Sequence, residues 1–499
     1  MMFGPKRAHV MFIFENFIKD FGIFLIAVIV FLFVRDVQIL LDNIFIVVIA
    51  LAGPISRLVR YYCTRYTIDD ERLLVESGWL KKEKLEIPLA TISSVDMTQN
   101  LLFQLTHVYA LQIENAGSIG GDSDGSVKLI LGKDDADIAK KLLMAKKMGE
   151  TSSQDLQGQY VAATTLQQEE QGQTMKASIG EVLTMSVFQI NWGVIAIQMI
   201  AYVSLLGSFL DEYIFRSEQN STEMLVDFAM GLAPVMIIGI ILGAYLISVL
   251  ISTVMSVVKY YNFRITNRED AIHIQYGLFT RKSHTLMKEK ISGVKFQQSA
   301  IMRIMKKGTL QIFVTGYGGL DENNQEETVL LYPIVEEQKI YQFLNWLMPG
   351  EVTEPEYEAA PTRGLPYFFI CARFIFAVIL LAACVAASGG SVIDAWLIGI
   401  AAIILLLVTG SVFMEYKTSA VAAGESVVTM RYGGYRKHIV IINRDKLEYV
   451  EDSASQLKRR RKKLSTLKVG VLAPARMSWH SVRNVDMSVF DKVKDKLIY

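Results

Sequence analysis

The sequence predicts a membrane protein of mixed class: six transmembrane helices in three hairpins, each hairpin followed by a small antiparallel β-barrel with a C-terminal capping helix. Three observations predict it. Apolar stretches long enough for a bilayer occur in pairs, at three places along the chain. The block at 61–117 recurs at 260–316 without a gap, with thirteen identical residues. Each such block reads as alternating strands and ends in an amphipathic helix. Composition agrees. Of 499 residues 52% are hydrophobic and 20% charged, against about 25% charged in an ordinary soluble domain. A net charge of +1 supplies no global field for nucleic acid. The cysteines, Cys63, Cys371 and Cys384, have neither metal nor redox spacing, which excludes a disulfide framework.

The expected spans run from Phe17 to Val34 and Val37 to Val59, from Val187 to Leu210 and Met224 to Val258, and from Leu365 to Ala387 and Val392 to Met414. The last pair is joined by the small-residue turn Ser388-Gly389-Gly390-Ser391. Lys6, Arg7, Lys19, Arg57, Arg60, Lys259 and Arg264 flank these stretches on one side, whereas the turn between the middle spans carries Asp211, Glu212, Glu218 and Glu223. The positive-inside rule then places both termini and all soluble parts on the cytoplasmic side of the membrane. Arg373 is the one ionisable residue well inside a span, and it either snorkels or pairs with Glu415 on the returning helix.

The repeat sets the domain boundaries. Hairpins occupy 1–60, 182–258 and 365–415; soluble units occupy 61–148, 259–348 and 416–499. The linkers are a Gln/Ser/Thr-rich segment at 149–181 and an acidic, proline-bearing one at 349–364. Tyr61-Tyr62, Arg65, Gly78, Ile92-Ser93, Gln99 and Leu111-Gln112-Ile113 reappear 199 residues later in the same register. A third, divergent copy aligns Gly434 with Gly78 and Leu467-Lys468-Val469 with Leu111-Gln112-Ile113. Strands are expected at Arg72–Ser77, Ala271–Tyr276 and Val427–Tyr432, each meeting a glycine turn. Strands return at Ala110–Glu114 and Thr309–Val314. Closing helices are expected at about 134–147, 335–347 and 485–497.

The membrane hairpin, the tyrosine-rich exit, the strand pair around Gly78, Gly277 or Gly434, and the Ile-Ser-x-Val and Gln99/Gln298 loop together resemble the bacterial pleckstrin-homology-like (PH-like) multi-pass membrane proteins of the YdbT type. The resemblance implies a bent antiparallel barrel plugged by its terminal helix. It also implies a smaller PH-like membrane protein as companion. The arginine and glycine that the family shows after the loop glutamine are kept as Arg303 and Gly308 in the second copy. The first copy has Gln104 and Tyr109 there.

Catalytic chemistry finds no support. The six histidines have no metal-ligand pairing, and no nucleophile elbow, metalloprotease helix or kinase signature is present. The glycine- and acid-rich stretch 117–125 reads as a hairpin tip. No cofactor is implied. The strongest local signal is the basic run Lys458-Arg459-Arg460-Arg461-Lys462-Lys463, with Arg303, Lys306 and Lys307 in the matching loop of the second copy. Cations beside an anionic leaflet gain about 1 kcal/mol each, so these nine residues are candidates for contact with anionic headgroups or with a protein partner. The function expected is a non-enzymatic membrane scaffold or adaptor. The rival is a lipid-handling or transport protein working through six helices.

Overall fold

A computed structural model describes residues 3–14, 55–145 except 70, 80–81 and 116–125, 173–188, 242–314 except 244, 329–348, and 354–494 except 391, 456–457 and 473–476, with isolated positions between 201 and 239. The soluble parts are three copies of a seven-strand unit. The first has β1 (Phe3–Arg7), β2 (Arg65–Ile68), β3 (Arg72–Ser77), β4 (Glu83–Pro88), β5 (Ile92–Gln99), β6 (Val108–Asn115) and β7 (Ser126–Gly132). The second has β8 (Gln173–Lys176), β9 (Arg264–Asn267), β10 (Ala271–Tyr276), β11 (Arg281–Met287), β12 (Ile291–Gln298), β13 (Lys307–Val314) and β14 (Val329–Glu336). The third has β15 (Glu358–Ala359), β16 (Ala420–Ala423), β17 (Val427–Tyr432), β18 (Lys437–Asn443), β19 (Leu447–Ser453), β20 (Leu464–Leu472) and β21 (Met477–Asp486). The strands expected at 72–77, 271–276 and 427–432 are β3, β10 and β17 to the residue.

Two of the turns match the sequence, and the third is shifted. Gly78 and Gly277 end β3 and β10 with φ of +101° and +110°, as expected of a glycine in the left-handed region. In the third unit that residue is Gly433, at +107°, and not Gly434, which takes the next place, that of Trp79 and Leu278. A Cβ on Gly433 would sit 2.1 Å from the Arg436 carbonyl oxygen, so no other residue fits this turn. The closing helices are Lys133–Ala145, Ile340–Leu347 and Met487–Lys494. The last two start later than expected because β14 and β21 continue through Glu336 and Asp486.

The units do not keep their sheets to themselves. The strand orders are β1-β2-β3-β4, then β7-β6-β5-β11-β10-β9-β8, then β14-β13-β12-β18-β17-β16-β15, then β19-β20-β21. The last strands of one unit therefore continue, antiparallel, into the first strands of the next: β5 against β11 and β12 against β18. Period-two alternation then serves two cores at once. In β18, Ile439 and Ile441 pack into the core of the second unit, and Val440 and Ile442 into that of the third. The strands β1, β8 and β15, which precede the expected hairpins and pair with the first strand after them, have no signal in the repeat.

The six-helix membrane domain is corrected. Among the described residues one helix, Leu397–Thr418, is long and apolar enough to cross a bilayer, or two if the bent pair Thr362–Phe369 and Ala372–Ala386 is one span. The spans expected at 17–34, 37–59, 187–210 and 224–258 fall largely outside the described residues; the described part of the last, Tyr245–Lys259, is a shorter apolar helix. The physical reason is that hydropathy counts apolar residues without testing helical continuity. In the stretch 365–387 the helix stops at Ile370, and Cys371 is extended (φ −126°, ψ 148°), so the two pieces meet at 53°. The linker residues 149–172 and the loops 116–125 and 315–328 lie outside the described residues.

Candidate functional site

The candidate site lies where the third unit meets the helical hairpin that precedes it, at the end away from the Gly389-Gly390 turn. The helix Ala372–Ala386 begins there and Val392–Thr418 ends there. Between them and the turn joining β17 to β18 is an open cavity of about 460 Å³, lined by Arg373, Glu415, Tyr435, Arg436, His438 and Arg483 among others. The turn is held against the helix: Tyr435 donates its hydroxyl to the Leu407 carbonyl at 2.9 Å. A Cβ on Gly434 would lie 2.4 Å from Ser411 Oγ, so only glycine allows this approach.

Glu415 ties the cavity together. It accepts from Arg373 Nη2 through one oxygen and from Arg483 Nη1, at 3.3 Å, through the other. The Arg373–Glu415 pair is one of the two outcomes foreseen from the sequence. Arg483 also stacks over Phe368, 5.7 Å from its centroid. Burial, helped by Lys295 and Arg436, drives the His438 pKa down to about 3, so this ring is neutral near pH 7. Three guanidiniums then face one carboxylate, a surplus of positive charge at the depth where the apolar helix ends. Such a pocket suits a phosphate-bearing anion, because arginine offers paired donors in a planar fork.

None of the nine residues singled out in the sequence is among those that line this cavity. Arg303 donates from Nη1 to the Gly434 carbonyl at 2.7 Å and from Nη2 to Thr418 Oγ1 at 2.8 Å, and its burial lowers its pKa. It latches the second unit to the third and to the membrane helix. Gln104 does the same one unit earlier, donating to the carbonyls of Leu278 at 3.3 Å and Phe279 at 2.8 Å. Lys458 is half-buried, donates to Asn484 Oδ1 at 3.0 Å and lies over Tyr367; burial lowers its pKa. Arg459 pairs with Asp452 at 2.5 Å. Lys462, Lys463 and Lys306 are exposed and Lys307 is half-buried. The side chains of Arg460 and Arg461 lie outside the described residues. The basic run is thus a π-helical turn with at least two of its cations engaged internally.

The loop glutamines are structural. Gln99 Nε2 donates to the carbonyls of Phe103 and Val108, and Gln298 Nε2 to that of Lys307. They close the loop helices Leu101–Leu105 and Ala300–Ile304, whose outer faces are apolar: Leu105 and Ile304 are 81% and 83% exposed. Sequence reasoning missed Arg483, a lone arginine on β21 that only the fold brings to Glu415. Among the described residues no group of acidic, cysteine or histidine side chains is placed to hold a metal.

A family model described as bacterial PH domain matches residues 21–147 and 194–348. The "UPF0699 transmembrane protein YdbT" of Bacillus subtilis (strain 168) is 23% identical over 440 residues, covering 86% of this chain and 84% of that protein. No solved structure matches.

Proposed function

Since the chain belongs to the bacterial PH domain family, we propose that it is a non-enzymatic membrane scaffold that grips an anionic lipid headgroup in the cavity of its third unit. One observation carries the reading: Arg373, Arg436 and Arg483 line a cavity with a single carboxylate, Glu415, at the end of the helix apolar enough to cross a bilayer. The exposed apolar faces around Leu105 and Ile304 add surfaces suited to the headgroup boundary. On this reading the units face the cytoplasm, the side on which lysines and arginines flank the apolar stretches. The name of the Bacillus relative, a transmembrane protein, supports a membrane setting.

The test uses the full chain purified in mild detergent, with retained lipids identified by mass spectrometry. Phosphatidylglycerol or cardiolipin should be retained over zwitterionic lipid. Arg436→Gln removes a cation that makes no pair with Glu415, and it should lower retention by about fivefold, the equivalent of about 1 kcal/mol per cation. Equal retention by parent and variant, or no preference for anionic lipid, overturns the headgroup reading.

A further inference from the structure

The two internal junctions share one construction. A strand of one unit (β5, β12) pairs with a strand of the next (β11, β18), and a side chain in the loop after the first strand (Gln104, Arg303) donates to the turn before the second. In both cases the donor stands three residues before a non-glycine residue of positive φ, His107 at 53° and Lys306 at 54°. The two ends of the array carry the unmatched halves. At the head, β4 has no strand on its outer edge among the described residues, and the turn before it presents Trp79, 71% exposed. At the tail, the outer edge of β19 is likewise unpaired among the described residues. Beyond it Lys463 repeats the positive φ at 50°, which puts Arg460 in the place of Gln104 and Arg303. Tyr449 on β19 and Trp479 beside it are 44% and 52% exposed, stacked edge to face at 5.1 Å.

We infer that the tail of one chain pairs with the head of a second copy, β19 against β4, forming a third junction of the same kind. The internal register fixes the alignment. Lys437 pairs with Gln298 and Arg281 with Gln99, so Lys82 meets Ala454, and Lys84 meets Asp452. In that register one pair of opposite charge falls directly across the junction, Lys84 against Asp452, each of which also holds a partner in its own chain, Glu76 and Arg459. Head and tail surfaces belong to the same chain, so a second copy meets every requirement of the junction without a foreign surface. Such a head-to-tail contact is heterologous, and it builds a ring if the rotation closes and a filament if it does not. This inference is independent of the headgroup reading.

Crosslinking tests it in the full chain, with the three native cysteines changed to serine. Chains carrying Lys82→Cys are mixed in membranes with chains carrying Ala454→Cys and oxidised. Directly opposed strand residues are close enough for a disulfide, so a product of twice the chain mass is expected, and Trp79→Glu should reduce its yield severalfold. Native mass spectrometry of the unmodified chain should show more than one copy per particle, which guards against a variant that fails to fold. A single-copy particle with no crosslink overturns the inference. So does capture, through either introduced thiol, of a separate chain bearing one PH-like unit while self-crosslinking is absent.

Discussion

The junction between the first and second units and that between the second and third use the same backbone and different chemistry. The first is polar. His284 Nδ1 on β11 lies 2.8 Å from Asp96 Oδ2 on β5, both nearly buried, and its Nε2 lies 3.0 Å from the Tyr276 hydroxyl. The second is apolar along β18, which fills two cores, and its polar contacts sit at the edges: the Arg303 latch and the Lys437–Glu337 pair at 2.5 Å. Burial lowers the Lys437 pKa despite that partner. Strand geometry therefore conserves the way the units join, while the side chains decide how strongly. A buried polar pair specifies a partner and contributes modestly, whereas two-faced apolar burial supplies most of the free energy.

The comparison is most severely tested in β18. Ile441→Ala should destabilise the full chain by about 3 kcal/mol, the usual cost of a buried isoleucine truncated to alanine, read by thermal unfolding in detergent. A loss as small as that from Asp96→Asn would show that the apolar junction holds no more than the polar one. The latches come next. Arg303→Ala should cost about 2 kcal/mol and Gln104→Ala about 1 kcal/mol, because a guanidinium forms stronger hydrogen bonds than an amide. Equal losses would mean that charge does not distinguish the two latches.

A separate effect is acid sensitivity around the third unit. Burial, aided by Lys295, lowers the His480 pKa from 6.5 to about 4. Between these values the unfolded chain binds a proton that the folded chain does not. The share of stability linked to His480 is therefore full above about pH 6.5 and falls as pH drops toward about 4, by up to about 3 kcal/mol. His480→Gln should reduce that slope in a pH series of unfolding midpoints, leaving the part that His438 supplies. An unchanged slope would remove His480 as its source.

The sequence by itself determined the three-fold repeat, the strands β3, β10 and β17 and the closing helices, and it offered Glu415 as one of two fates for Arg373. Each of these rests on local pattern: alternation, a glycine at a forced turn, or two charges at matching depth on neighbouring helices. Tertiary structure alone decided the rest. The sheets shared between units join partners about 190 residues apart at the first junction and about 140 to 150 at the second, and no periodicity specifies which edge an alternating strand joins. The latch position holds Gln104 in one unit and Arg303 in the next, and the positive-φ residue behind it is His107, Lys306 or Lys463, so identity at these places could not reveal a common role. Arg303 and Lys458 read as free cations because charge in a sequence carries no record of burial. The expected span at 365–387 failed for a related reason: an apolar run is a composition, and only the folded chain shows where its helix breaks.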